Sequence, residues 1–295
     1  MRKRLLIAVF LSVLVAMILT TSAKEKAKGP WKDASVQVGD IKIHYIEAGA
    51  GDRNLVFIPG WTMTAEVWKE QIPYFASRGF RVIAFDPRSQ GQTTKTDGGN
   101  TYQQQAADLH ALLKALSLKD AVLVGWSAGV DVLLEYASSS EAVLPDKMVL
   151  VDGAPMGYKE GDYPGGMSIA QARSILRDFQ DDRAKATEKF VRSMFKSRQP
   201  ELLIKELTDG SLKTPTGTAL SLFFDLYTGD RRFGLYKISV PTLIIMTPEN
   251  RLIGELMQSK ISRSKLEVIP EAGHAMFLEK PQAFNQILES FLGEN

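Results

Sequence analysis

Ala121-Val122-Leu123-Val124-Gly125-Trp126-Ser127-Ala128-Gly129, running straight on into Val130 and the residues up to Tyr136, decides the fold. An apolar β-type run meets a helical run with only a G-x-S-x-G turn between them, which is the setting of a strand-turn-helix elbow. So tight a reversal strains the backbone at Ser127 and leaves no room for bulk two residues to either side. It also pushes the serine hydroxyl out beyond the carboxyl end of a sheet. Ser127 is therefore the candidate nucleophile.

Outward from the elbow, short β-branched runs alternate with longer segments of helical spacing from about residue 35 onward. That alternation predicts an α/β fold, an eight-stranded, mostly parallel sheet with helices on both faces. Residues 35–38 and 41–46, separated by Gly39-Asp40, read as an antiparallel hairpin at a sheet edge. Strands are further expected at 55–58, 81–85, 121–124, 147–151, 242–246 and 265–269. Ala106, Leu109, Leu112, Leu113 and Leu116 fall on one helical face, which would lie against the sheet.

Between about 156 and 237 the alternation stops and no convincing strand appears. Three apolar stripes take its place: Ile169 with Ala172, Ile175, Leu176 and Phe179; Phe190 with Val191, Met194 and Phe195; and Leu220 through Tyr227. This segment reads as a helical cap or lid inserted in a core of residues 35–155 and 238–295.

Residues 1–23 carry a basic head, Met1-Arg2-Lys3-Arg4, then an apolar run from Leu5 to Leu19 and the small residues Thr20-Thr21-Ser22-Ala23. They read as a secretory signal peptide cleaved after Ala23, with residues 24–34 a flexible leader; an uncleaved anchor is the alternative. The expected destination is the periplasm or the medium. Without Arg2, Lys3 and Arg4 the 36 basic residues fall to 33, against 34 acidic ones. So even a balance gives no warrant for a nucleic-acid partner, or for a membrane partner once the signal is removed. The 44% hydrophobic content, 24% charge and absence of cysteine describe an ordinary globular chain without disulfides, thiolate metal sites or a cysteine nucleophile.

A serine hydroxyl needs a base, and the chain offers three histidines. His44 lies in a predicted strand and His110 in a predicted helix, positions that read as structural. His274 follows the last predicted strand in Pro270-Glu271-Ala272-Gly273-His274, at the sheet edge where open α/β sheets place their sites. His274 is the candidate base. Asp86 and Arg88 read as a structural pair, Gly49-Ala50-Gly51 as a turn, and no cofactor or metal motif is present.

Several motifs then stand in one order: Ile58-Pro59-Gly60-Trp61 with Trp68, Phe85-Asp86-Pro87-Arg88-Ser89-Gln90-Gly91, the elbow, Val240-Pro241-Thr242-Leu243, and Gly273-His274 followed by Glu279-Lys280-Pro281. With them the chain resembles the α/β-hydrolases, near the non-haem haloperoxidases, arylesterases and perhydrolases, over roughly residues 35–293. The resemblance implies Ser127 as nucleophile, His274 as base, and an oxyanion hole from the backbone N–H groups of Trp61 and Ala128. The chain departs from that family at two places. Pro59 stands where the family has His, and Asn250 stands where it commonly keeps the catalytic acid. Some relatives carry the acid after the strand that follows the nucleophile helix, which here is Asp152. The acid thus lies open between Asp152, Glu249 and none.

The expected function is an exported serine hydrolase of a small carboxylic ester, thioester or lactone, working without cofactor or metal. Perhydrolase or haloperoxidase-like activity with the same triad, and a non-catalytic ligand-binding member of the fold, are the rival expectations. The oligomeric state is not readable from the sequence.

Overall fold

The computed structural model describes residues 30–140 and 143–294. The expected signal peptide and residues 24–29 of the expected leader lie outside the described residues. Eight strands form one sheet: β1 (Lys32–Val38), β2 (Ile41–Ala48), β3 (Arg53–Ile58), β4 (Phe80–Phe85), β5 (Val122–Trp126), β6 (Lys147–Val151), β7 (Thr242–Met246) and β8 (Ser264–Val268). Their spatial order is β1-β2-β4-β3-β5-β6-β7-β8. β1 and β2 pair antiparallel, as do β2 and β4, and every other pairing is parallel.

β1 corrects one expectation. It starts at Lys32, inside the segment read as leader, and keeps register with β2 from Lys32↔Glu47 to Val38↔Ile41. It is an edge strand that is mostly open to solvent, so its residues need no apolar alternation and the sequence signal is weak.

The central strands are buried on both faces and their side chains divide by parity. Val56 and Ile58 enter the core on one side, with Leu109 and Leu133, while Leu55 and Phe57 enter the other, with Trp68 and Phe284. Helices Tyr102–Ala115, Ala128–Ser138 and Arg251–Lys260 supply the first core, and Gln71–Ala76 and Pro281–Gly293 the second. Two-sided burial is why these strands read as continuous apolar runs.

Between β6 and β7 lie five helices: Ile169–Asp181, Arg183–Ser193, Glu201–Leu212, Thr216–Thr228 and the short Arg232–Leu235. Three of them carry the predicted stripes. Glu201–Leu212 was not read from the sequence, and Ile169, assigned to the first stripe, is exposed. No helix among the described residues is long and apolar enough to cross a membrane.

The sheet order has a direct consequence for chemistry. β3, β5, β6, β7 and β8 are parallel neighbours, so the segments leaving their carboxyl ends converge on one edge: Trp61, Ser127, Asp152, Thr247 and His274.

Candidate active site

Ser127 sits at φ 54°, ψ −121°, in the left-handed region that L-residues avoid. Holding a non-glycine residue there costs on the order of 1–3 kcal/mol, which the surrounding structure must supply. The Ser127 N–H donates to the Val151 carbonyl at 2.9 Å, and the Val130 N–H closes the turn onto the Ser127 carbonyl at 2.8 Å. Gly125 and Gly129 make the reversal possible by close approach. A Cβ on Gly125 would stand 2.4 Å from the Gly129 oxygen, and one on Gly129 2.7 Å from the Ile58 oxygen.

His274 Nδ1 meets Asp152 Oδ2 at 2.7 Å. The other carboxylate oxygen, Oδ1, accepts from the Thr247 N–H at 2.9 Å, the Thr247 hydroxyl at 3.0 Å and Asn250 Nδ2 at 3.1 Å. Burial of the Asp152 side chain pushes its carboxyl up, but the hydrogen bond and charge of His274, with the Thr247 and Asn250 donors, outweigh burial and hold it below the ordinary carboxylate value. With Nδ1 engaged by a carboxylate, Nε2 is left as the ring's acceptor.

Of the two acids considered from sequence, Asp152 is the one that meets His274, while Glu249 is exposed. Asn250 belongs to the cluster as a donor to the carboxylate. The signal that would have found this role is its position at the carboxyl end of the strand beside β6, together with an amide that can only help a charge already present.

The Trp126 indole N–H donates to the His274 carbonyl at 2.9 Å, tying the elbow to the histidine loop. That loop is also fastened from outside. Glu279 accepts from the Gly273 N–H at 2.7 Å, the Ser197 N–H at 2.6 Å, the Ser197 hydroxyl at 2.5 Å and the Lys196 N–H at 3.2 Å. The Ala275 N–H adds a bond to the Met194 carbonyl at 2.9 Å. The histidine loop and the segment after helix Arg183–Ser193 are thereby joined through one carboxylate.

Two cavities meet at Ser127. One, of about 420 Å³, is lined by Ser127, His274, Asp152, Asn250 and Asp131, among others. The second, of about 300 Å³, is lined by Ser127, Trp61, Phe179, Phe190 and Phe223, among others. Trp61 anchors this second, apolar lobe: its ring centroid lies 4.8 Å from Phe179, 5.3 Å from Phe190 and 5.4 Å from Phe223. Its indole N–H is taken by the Ala219 carbonyl at 2.8 Å. Gly60, one residue earlier, borders Ser127 so closely that a Cβ there would stand 3.1 Å from Ser127 Cβ. Among the described residues no group of three or more His, Cys, Asp or Glu side chains is placed to hold a metal ion.

This geometry meets an independent finding: residues 55–287 match the family model described as the alpha/beta hydrolase family. The chain belongs to the α/β-hydrolase family. Among solved structures, an esterase of Exiguobacterium antarcticum superposes with a TM-score of 0.84 at 27% identity, over 89% of this chain and all of the other. A bromoperoxidase of Bacillus anthracis gives 0.84 at 26%, with the same coverage. A non-heme haloperoxidase of Rhodococcus erythropolis is 25% identical over 267 residues, covering 85% of this chain and 96% of the relative. The α/β-hydrolase reading from sequence, and its placement beside the haloperoxidases, therefore stand.

Within this α/β-hydrolase the remaining polar residues singled out from sequence lie apart from the histidine–carboxylate pair. His44 Nδ1 meets Asp86 Oδ2 at 2.9 Å and its Nε2 meets Asp33 Oδ1 at 3.1 Å. Asp86 also accepts from the backbone N–H groups of Ala65 and Gln92, which fastens the loop after β4. Arg88 forks onto Asp108 at 2.8 Å through two nitrogens and reaches Asp40 as well. His110 borders a different cavity, with Ala121, at the amino end of β5. Thr247, Asp131, the Glu279 contacts and the aromatic lobe were not singled out as site features from sequence, because each acquires its place only through tertiary contact.

Proposed function

We propose that this α/β-hydrolase is a serine carboxylic ester hydrolase that works through an acyl-enzyme on Ser127. The observation that carries the reading is the buried Asp152 held against His274 Nδ1 beside the strained serine elbow. In this reading Ser127 Oγ attacks the ester carbonyl and His274 Nε2 takes its proton. Asp152 orients the ring and stabilises the imidazolium. The N–H groups of Ala128 and Trp61 receive the developing oxyanion, where losing one donor would cost about 3 kcal/mol. His274 then hands its proton to the leaving oxygen, and afterwards takes one from the water that releases the acid and frees the serine.

The lobe walled by Trp61, Phe179, Phe190 and Phe223 supports an apolar acyl group. The likeness to a bromoperoxidase favours a second reading on the same residues. Hydrogen peroxide in place of water would attack the acyl-enzyme, giving a peracid and free Ser127. Export is proposed alongside on the basic-headed apolar segment of residues 1–23.

The test is hydrolysis of p-nitrophenyl acetate, butyrate and octanoate by the purified protein beside a Ser127→Ala variant. Burst release of nitrophenol and an acyl adduct at Ser127 by mass spectrometry are expected in the wild type. Loss of at least about 10³ in rate is expected in the variant. Equal rates in the two would overturn the acyl-enzyme reading and move a ligand-binding role forward.

A further inference from the structure

We infer that the leaving half of the substrate carries a positively charged group, recognised by Asp131. The inference rests on the ester-hydrolase reading above, which sets the direction of the substrate. The proton taken by His274 must return to the leaving oxygen, so the leaving group occupies the cavity that His274 lines. The aromatic lobe shares Ser127 with it but is not lined by His274. It receives the acyl half.

The leaving-group cavity has one sign of charge. Its titratable lining groups are Asp131, Asp152 and His274, and no Lys or Arg lines it among the described residues. Asp152 is committed to His274. Asp131 takes no part in that arrangement, although it stands one helical turn past Ser127 on helix Ala128–Ser138 and is 4% exposed. Asp131 and Ser127 line the same cavity, so a group bound at one is within reach of a substrate held at the other.

The cation that pairs with Asp131 is shared with two other carboxylates. Arg231 approaches its Oδ1 at 3.1 Å, and the same guanidinium also serves Glu135 at 2.9 Å and Asp225 at 3.0 Å. One guanidinium is thus shared among three carboxylates, so Asp131 does not hold it alone. The Tyr102 ring lies 5.2 Å from the guanidinium, and Tyr163 is also within electrostatic reach of Asp131. Burial pushes the Asp131 carboxyl up to about 7, against the pull of Arg231. A cation on the substrate would complete what Arg231 leaves unpaired and favour the ionised form. Met156, Met167 and Ile253 on the same walls offer soft apolar surface suited to an alkylated ammonium.

The probes are butyrylcholine and its neutral isostere 3,3-dimethylbutyl butyrate, which share an acyl group and differ in a nitrogen and its charge. Near pH 8 the wild type is expected to favour the cationic ester by about tenfold or more in kcat/KM, the size of a single well-placed charge contact. The ratio should shrink towards pH 6 as Asp131 takes up its proton, because groups common to the two reactions cancel from it. In Asp131→Asn the ratio should fall to about one at both pH values. Because Asp131 is buried and the variant could fail to fold, choline is also tested in the wild type as a competitor of the neutral ester. It should inhibit at concentrations where 3,3-dimethylbutanol does not.

A wild-type ratio near one with equal inhibition by the two alcohols would overturn the inference and leave the hydrolase reading standing. So would a preference that survives intact in a folded Asp131→Asn. Failure to cleave either ester while p-nitrophenyl butyrate is still cleaved would overturn the inference alone; failure on all three would overturn both.

Discussion

Asn250 occupies the position where the family commonly has a carboxylate, and it points an amide at the carboxylate next door. Its Nδ2 donates to Asp152 Oδ1 at 3.1 Å, on the oxygen not used by His274. Replacing Asp152 by Asn should therefore lower kcat by about 10⁴, the loss seen when the acid of a serine-protease triad becomes an amide. Glu249→Gln should leave it within about twofold, since Glu249 is exposed; ester hydrolysis and melting curves of both variants check this. Asn250→Asp should harm rather than help. It would remove a donor and set a second carboxylate about 3 Å from the first, raising the pKa of the pair. The acid limb of the pH–rate profile should then move upward by about a unit or more, and an unmoved limb would count against the placement of Asn250. At this scale the elbow at Ser127 and the loop at His274 could be read as candidates from the sequence, because a motif and a position after a strand announce them. The partner of His274 was legible only as a choice, since Asp152 lies 122 residues away and no spacing rule spans that distance.

Among the elements, the carboxylate of Glu279 has the widest reach. It accepts four hydrogen bonds that join the histidine loop to the end of an inserted helix, and burial, which would raise its pKa, is outweighed by Ser197 and the backbone donors of Gly273 and Lys196. Glu279→Ala should loosen both segments together. We expect kcat to fall by about tenfold or more, as for other displaced catalytic groups. Amide exchange should quicken at residues 194–197 and 273–275 alike, and quickening in one segment only would show that they are not coupled. Burial helped at some elements and position at others. β6 and β7 were read to the residue because both their faces are covered, whereas β1 was read three residues short because its edge position allows polar side chains. Helix Glu201–Leu212 escaped because Gly210 and flanking polar residues blur its apolar face.

For the molecule as a whole, buried ionisable groups set a pH dependence whose sign can be worked out. Asp152 is held below its ordinary value, so its contribution is present above that value and is lost as pH falls through the depressed one. Asp131 is raised to about 7, so its contribution is present below the ordinary carboxylate value and is lost as pH climbs towards 7. His44 is raised by Asp86 and Asp33 in spite of burial, and its contribution likewise fades as pH rises through its folded value. The urea midpoint should therefore be highest near pH 5 and decline towards pH 8, and Asp131→Asn should flatten that decline. A midpoint that rises from pH 5 to pH 8 would count against these assignments. The fold was legible at this scale because strand and helix alternate along the chain; the two cavities were not, since they exist only where the inserted helices meet the sheet edge.

The clamp around Asp152 also imposes a chronology. The chain makes Asp152 well before its partners, 95 residues ahead of Thr247 and 122 ahead of His274. On the ribosome, a nascent chain that ends before β7 can hold the serine elbow through Val151 but has nothing yet to secure the acid. Contacts of such long range form late. Turnover is therefore a property of the finished chain, the last feature gained in folding and the first forfeited when the ends of the sheet begin to part.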